Sequence, residues 1–254
     1  KEWYYYFFQC TECRRCSVFC PYGIDQAEIT MMGRELLNLL GLNTEWIAGP
    51  VANCYNKGNH VGLEPQTIMS NVEFMMEDLE EITGKTYNPS FNRKGAEILF
   101  VVPSGDLYAE PGTHTFMGYI MLLEELGLDY TLSTYASEGG NFGFFTANDM
   151  AKRLNAKMYA EAKRLGVKWM LGGECGHMWR LVNQYMDTWN GPADFLEVPV
   201  SPVTGTRFEN AKSTKMVHIT EFTADLLYHD KIKVDPSRND HLVVTYHASC
   251  NTAR

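Results

Sequence analysis

Three observations predict an α/β chain, α+β overall. Short apolar runs alternate with helix-period stretches after residue 93, polar glycine-bearing segments follow those runs, and four of the seven cysteines crowd into the first twenty residues ahead of a helical region. The expected architecture is a helical, cysteine-bearing segment followed by a Rossmann-like, mostly parallel sheet covered by helices. The composition agrees: 254 residues with 45% hydrophobic and 21% charged side chains describe a folded globular protein, not a disordered tail or coiled coil. The net charge of −9 and the lack of a dense Lys/Arg run argue against nucleic acid as a partner. The longest clear apolar stretch, 117–123, is far too short to span a membrane. The opening residues carry no initiator Met and no signal-peptide layout, and read as a truncated N-terminus. Seven cysteines, an odd total with four of them inside eleven residues, make a poor secreted disulfide framework, which points to a reducing, cytoplasmic compartment.

The elements follow in order. Asp25 caps a helix whose Ile29, Met32, Leu36, Leu37 and Leu40 recur at helical spacing until Gly41 stops it. Residues 1–45 thus form one unit. Residues 46–92 read as a helical linker, in which Pro65 opens a helix running through Val72, Phe74, Met75, Met76, Leu79 and Ile82 to Gly84. The 88–92 loop marks a boundary, and the α/β region covers 93–240. Strands are expected at 98–102, 130–132, 167–171 and 242–246. Helices are expected around 115–126, over 148–165 with Thr146 as cap, from Trp179 to Trp189, and over 219–228.

Cys10, Cys13, Cys16, Cys20 and Pro21 spell C-x2-C-x2-C-x3-C-P. This run resembles that of bacterial ferredoxin domains, in which thiolates three residues apart wrap one [4Fe-4S] cubane and the Cys before Pro serves a second cluster. Structural zinc is the alternative, but zinc sites pair two C-x2-C units across a longer gap. The two-cluster logic places the fourth ligand for Cys10, Cys13 and Cys16 outside the chain as given. The aromatic stretch Tyr4 to Phe8 either shields a cluster from water or packs as ordinary core. Arg14 and Arg15 either meet an acidic partner or are solvated.

Four polar segments follow the expected strands, at Pro103-Ser104-Gly105-Asp106, Ser137-Glu138-Gly139-Gly140, Gly172 to His177, and Tyr246 to Cys250. They therefore gather at strand C-terminal ends, where open α/β sheets bind ligands. No phosphate-cradling glycine motif is present, so nucleotide binding has little support. The spacing resembles the cysteine-rich CCG domain of heterodisulfide-reductase-type subunits, with most ligands replaced. Ser104 stands at the first Cys, Ser137-Glu138-Gly139 follows after 32 intervening residues in place of Cys-Cys-Gly, and Gly172-Gly173-Glu174-Cys175 stands in place of C-x2-C. Tyr246-His247-Ala248-Ser249-Cys250 then resembles the opening of a second CCG domain, with Cys250 as first ligand and Ala248 in place of the usual Asp. On this reading 241–254 begins a domain that is cut short.

Together with Gly173-Glu174-Cys175-Gly176-His177-Met178-Trp179-Arg180, these segments look like the DsrK group of HdrD-like iron–sulfur subunits. The resemblance implies a cytoplasmic subunit held peripherally on the inner face of the membrane by a cytochrome b subunit of a DsrMKJOP-type complex. It implies electron flow from menaquinol through [4Fe-4S] cubane clusters to a non-cubane [4Fe-4S] cluster, completed by residues outside this segment. There the trisulfide of a small DsrC-type sulfur carrier would be reduced.

Cys175 and His177 are the candidates for lining that site, and His177 or His247 for giving a proton to the leaving thiolate. The plain alternatives are a small buried Cys175 and packed histidines. Cys54 is expected to pack, as are Met31, Met32, Met75 and Met76, while His218 and His229 read as surface or core fillers. Two other functions compete. One is a non-catalytic electron wire that uses the α/β region only for docking. The other is a methanogen heterodisulfide reductase subunit, against which Ser104, Ser137 and Glu138 speak.

Overall fold

The protein is described from a computed structural model covering residues 1–137, 141–247 and 249. Helices α1 (Glu2–Gln9), α2 (Arg15–Val18), α3 (Gln26–Leu39), α4 (Glu45–Lys57) and α5 (Pro65–Thr83) precede the sheet. The sheet region then runs β1 (Ile98–Phe100), α6 (Gly112–Glu125), β2 (Tyr130–Thr131), α7 (Asn141–Phe144), α8 (Asn148–Leu165), β3 (Trp169–Gly172), α9 (Gly176–Leu181), α10 (Asp187–Asn190), β4 (Met216–His218) and α11 (Ile219–Tyr228). The strands form one four-stranded sheet in the order β2-β1-β3-β4, every neighbouring pair parallel. The chain is therefore Rossmann-like α/β. Its topological switch point lies between β1 and β3, because the chain leaves β1 first toward β2 and then returns to the other side.

Period-two alternation divides each strand between two cores. Ile98, Phe100, Trp169, Leu171 and Val217 face Phe116, Ile120 and Leu123 of α6, Phe222 and Leu226 of α11, and the inner residues of α5. Leu99, Val101, Met170 and Met216 face Met158, Ala162 and Leu165 of α8 and Met178 and Val182 of α9 and the turn after it. Burying a large apolar side chain contributes about 1.5–3 kcal/mol, so these two layers carry the fold.

Local signals set most boundaries. Asp25 accepts hydrogen bonds from the backbone N–H groups of Ala27 and Glu28 at 3.1 and 3.4 Å, as expected of the N-cap of α3. Pro65 is the first residue of α5, and Gly84 closes it with φ +71°. The 148–165 and 219–228 helices lie where the periodicity puts them. Thr146, however, does not cap α8: its hydroxyl donates back to Gly143 O at 2.9 Å, and Ala147 is the N-cap residue. The expected helix from Trp179 to Trp189 is α9 and α10 joined through a π-helical turn, Val182–Met186.

Two further expectations need correction. Residues 242–246 are not a strand: Leu242, Val243, Val244 and Tyr246 are exposed and make no ladder. The fourth strand is Met216–His218, pairing with β3, because its alternate side chains enter both cores, whereas the later run finds no neighbouring strand among the described residues. Helix α3 also buries a face that shares only Leu37 with the expected one. Ala27, Met31, Arg34 and Leu37 point inward, while Ile29, Leu36, Leu40 and Met32, at 64% relative exposure, point outward. Gly33 explains the choice. A Cβ there would sit 2.5 Å from the ring of Phe7, so only glycine lets α1 close on that side.

Candidate metal centre

The cysteine loop leaves α1 at Cys10, crosses Glu12 and Arg14 with φ +56° at both, enters α2 with Cys16, and turns at Gly23 after Cys20. Two left-handed residues between ligand positions turn successive N–H groups to one side, as anion-binding backbone does. The N–H of Glu12 donates to Cys10 Sγ at 3.4 Å. The thiol of Cys20 is held below its ordinary pKa by N–H groups of Tyr22 and Ile24, with Gln26 and Gly23 adding to them against the cost of burial. N–H groups aimed at sulfur favour thiolate, the form that ligates metal. The donor set therefore has the chemistry a cluster needs. The sulfurs are not gathered, however: among the described residues no three His, Cys, Asp or Glu side chains form a group that could hold a metal ion.

Beneath the loop lies a buried ionic knot that sequence reading missed. Glu12, Arg34 and Arg180 are 1%, 2% and 2% exposed. Arg34 donates from Nε to Phe7 O at 2.9 Å and from Nη2 to Cys10 O, and its Nη1 lies 3.8 Å from Glu12 Oε1. Arg180 donates from Nη1 to Glu12 O at 2.5 Å and stacks 4.7 Å over the Phe144 ring. Arg14 is neither solvated nor open to an acidic partner. It reaches Asp25 and Glu28 of α3 and donates to the Tyr185 hydroxyl at 2.7 Å. Arg15 is exposed. The Tyr4 to Phe8 stretch is helix α1, with Phe7 and Phe8 half-buried against α3 and Tyr5 and Tyr6 exposed.

The sheet edge holds the other candidates. Ser104, fully buried after β1, lies 2.6 Å from His60 Nδ1 and accepts the His60 N–H at 3.3 Å. Ser137, after β2, donates its hydroxyl to Gly58 O at 2.6 Å. The two serines at ligand positions of the CCG pattern thus fasten the end of α4 to the sheet. Cys175 is the N-cap residue of α9 and packs half-buried on the second core. His177, the second residue of the same helix, sits 5.1 Å from the Phe145 ring, and burial with the Arg180 charge holds its pKa below the usual imidazole value. His177 is therefore neutral at neutral pH and suits a hydrogen-bonding role better than a proton store.

Burial places Cys54 in the core at 3% exposure, as expected, and Met31, Met75 and Met76 also pack. His247 is exposed in the C-terminal segment, and Cys250 lies outside the described residues, as do Glu138, Gly139, Gly140 and Ala248. His218 is neither filler nor plain surface. It ends β4, accepts the Thr220 N–H at Nδ1 at 3.1 Å as N-cap of α11, and meets Trp179 edge-on at 4.5 Å. With Thr115, Tyr119, Gly173, Glu174, Trp179 and Tyr246 it lines a cavity of about 420 Å³ at the sheet's C-terminal edge. The signal was present in Met216-Val217-His218-Ile219, but a two-residue apolar run before His218 is too short to read as a strand. A second cavity of about 480 Å³, between α5 and residues 86–91, is lined by none of the candidate residues.

This chain is similar over its whole length to Hdr-like iron–sulfur subunits. It is 44% identical over 271 aligned positions to the Hdr-like menaquinol oxidoreductase iron-sulfur subunit of Archaeoglobus profundus, and 45% identical to the Hdr-like menaquinol oxidoreductase iron-sulfur subunit 2 of Archaeoglobus fulgidus. All of this chain is matched, and it spans about half (49%) the length of each relative. No protein-family model matches it, and no solved structure matches it. No helix among the described residues is long and apolar enough to cross a membrane.

Proposed function

We propose that this chain is part of an iron–sulfur oxidoreductase subunit that takes electrons from a menaquinol-oxidising membrane partner and delivers them to a sulfur–sulfur bond. The observation that carries the reading is the Cys10, Cys13, Cys16, Cys20 loop with its N–H groups directed at sulfur, tied by Arg180 to the helix that begins beside Cys175. The relatives' names support the redox role and the quinol partner.

Cys10, Cys13, Cys16 and Cys20 would hold the cubane cluster or clusters, and Cys250 would contribute to a non-cubane cluster completed elsewhere. When bound, such clusters supply electrons one at a time. The chain's own residues do the rest. The Glu12–Arg34–Arg180 knot fixes the loop against α3 and α9. Cys175 and His177 line the sheet edge, where His177, kept neutral by burial, can hydrogen-bond a substrate sulfur. The substrate class is a protein trisulfide or disulfide of the DsrC type, and the subunit sits on the inner face of the membrane through a cytochrome b partner of a DsrMKJOP-like complex. The domains follow the divisions given above: a ferredoxin-type unit, a helical linker, a degenerate CCG-like domain and the start of a second.

Iron and acid-labile sulfide analysis of the anaerobically purified complex, with EPR before and after adding a thiol substrate, tests this. A non-cubane signal that responds to the thiol supports catalysis. Cubane signals alone, together with unchanged trisulfide reduction by Cys175→Ala, would instead leave the chain as an electron wire.

A further inference from the structure

A groove of about 480 Å³ runs between α5 and residues 86–91, within the range of about 300–1,000 Å³ typical of sites that enclose a ligand. Val72, Met76, Tyr87 and Phe91 give it apolar walls. The wall opposite α5 is fastened before anything enters. Tyr87 donates its hydroxyl to Glu125 at 3.0 Å, and the Asn88 N–H meets the Glu124 carboxylate at 3.1 Å. The Leu132 N–H donates to Ser90 O, and the Asn92 N–H to Leu132 O, both at 2.8 Å. The groove shares no residue with the cysteine loop or with the cavity at the sheet's edge.

Its α5 side is strongly negative. Glu73, Glu77 and Glu80 line the groove and are exposed. With Asp78 and Glu81 they make five acidic residues on a helix that has no Lys or Arg. Glu73 stands four residues before Glu77, and Glu77 four before Glu81, so like charges are neighbours on the helix surface. Glu80 and Glu81 occupy the last turn, where the negative end of the helix dipole opposes them. None of the five is in an ion pair among the described residues. The lysines flanking the helix in sequence are taken elsewhere, Lys57 by Glu64 and Lys85 by Glu125. This arrangement works against the helix that bears it, and a cationic occupant of the groove would relieve it.

We propose that this groove docks a Lys- and Arg-bearing segment of the integral membrane partner, with an apolar side chain of that segment in the groove and its basic side chains on Glu73, Glu77 and Glu80. This rests on the reading of the chain as part of a subunit held on the inner face of the membrane by a quinol-oxidising partner. Cytoplasmic segments beside membrane-spanning helices carry an excess of Lys and Arg, so their charge complements the groove. The bilayer itself does not: its inner surface is negative and repels a helix with five carboxylates. A second copy does not fit either, since it would bring another net charge of −9 and the same acidic helix. The charges set orientation and speed of docking, and the apolar anchor sets how long the partner stays.

Two measurements on the full-length subunit and its complex decide the matter. Carbodiimide treatment joins carboxylates to lysine amines in contact, and peptide mass spectrometry of the treated complex should find Glu73, Glu77 or Glu80 joined to a lysine beside an apolar span of an integral subunit. In binding to the detergent-solubilised membrane partner, the triple variant Glu73→Gln, Glu77→Gln, Glu80→Gln should lose about tenfold in affinity at low salt and most of its salt dependence. The double variant Asp78→Asn, Glu81→Gln, on the same helix but off the groove, should stay within about twofold of wild type. Both variants should keep the wild-type melting temperature and viologen-linked activity. An unaltered affinity in the triple variant, or an equal loss in the two variants, overturns the docking site. Cross-links only to a second copy, or wild-type binding to protein-free vesicles of anionic lipid as tight as to the partner, also overturn it. A complex that oxidises menaquinol while the triple variant binds normally leaves the functional reading intact and removes the groove from it. Expected cross-links in a complex that oxidises no quinol sink the functional reading instead and leave the docking site standing.

Discussion

Arg180 donates from Nη1 to the backbone carbonyl of Glu12 at 2.5 Å, joining residues 168 positions apart. Glu12 stands between two cysteines of the loop, and Arg180 lies in the first helix after Cys175, so one guanidinium couples the proposed entry of electrons to the sheet edge. Arg180 packs over Phe144 as well, which leaves its planar group little freedom.

Replacing Arg34 should be costly. Arg34→Met leaves the Glu12 carboxylate buried with its nearest cation gone, and breaking a buried pair from one side typically costs about 3–5 kcal/mol. Urea unfolding of the purified protein measures this. A loss below about 1 kcal/mol, the size of a surface ion pair, would mean that the knot does not hold the loop.

The cysteines separate cleanly by metal content. Single Cys→Ser changes at Cys10, Cys13, Cys16 or Cys20 should each lower iron per chain, whereas Cys54→Ser, at a core position, should leave it unchanged. Iron analysis after anaerobic reconstitution gives the answer; equal iron in the Cys20→Ser and wild-type proteins would remove Cys20 from the ligand set.

Gly173 has φ +98°, and a Cβ on it would lie 2.5 Å from His218 Cδ2. Gly173→Ala should destabilise by about 1–3 kcal/mol through backbone strain and push His218 off Trp179. The expected readouts are a lower melting temperature and a change in Trp fluorescence. An unshifted melt would contradict the packing described.

Asp225 offers a pH test away from any metal. Burial works to raise its pKa, but hydrogen bonds from Thr204, Thr206 and Ser201 and the charge of His229 outweigh it and hold the carboxyl below its ordinary value. An unfolded Asp titrates near about 3.9. The stabilisation is therefore complete above that pH and fades as pH falls through the lower folded value. Asp225→Asn should lose about 1–3 kcal/mol at neutral pH and less in acid. Thermal melts from neutral to acidic pH check this, and parallel curves for the two proteins would refute it.

Much of the architecture was legible in the chain. Asp25, Pro65 and Gly84 mark helix ends through contacts within a few residues, and strands 98–102 and 167–171 announce themselves as apolar runs between loops. The misses share a cause. Periodicity shows that α3 has an apolar face but not which face is covered, and the covering depends on Phe7 meeting Gly33. The 242–246 run has every local mark of a strand and lacks only a neighbour. Ser104 and Ser137 read as lost ligands, while their hydrogen bonds to His60 and Gly58 arise only when α4 folds back on the sheet edge.

The sequence by itself determined the cysteine spacing, the order of the main helices and the first three strands, and the placement of polar loops after those strands, because caps, turns and periodicity act over a few residues. Tertiary structure decided the fastening of α4 to the sheet edge through Ser104 and Ser137, the clamp of Arg180 on Glu12, and the entry of His218 into the cavity wall. Each joins separate elements whose approach is set by burial of the two cores, and no local pattern encodes which distant side chain fills the space left between them.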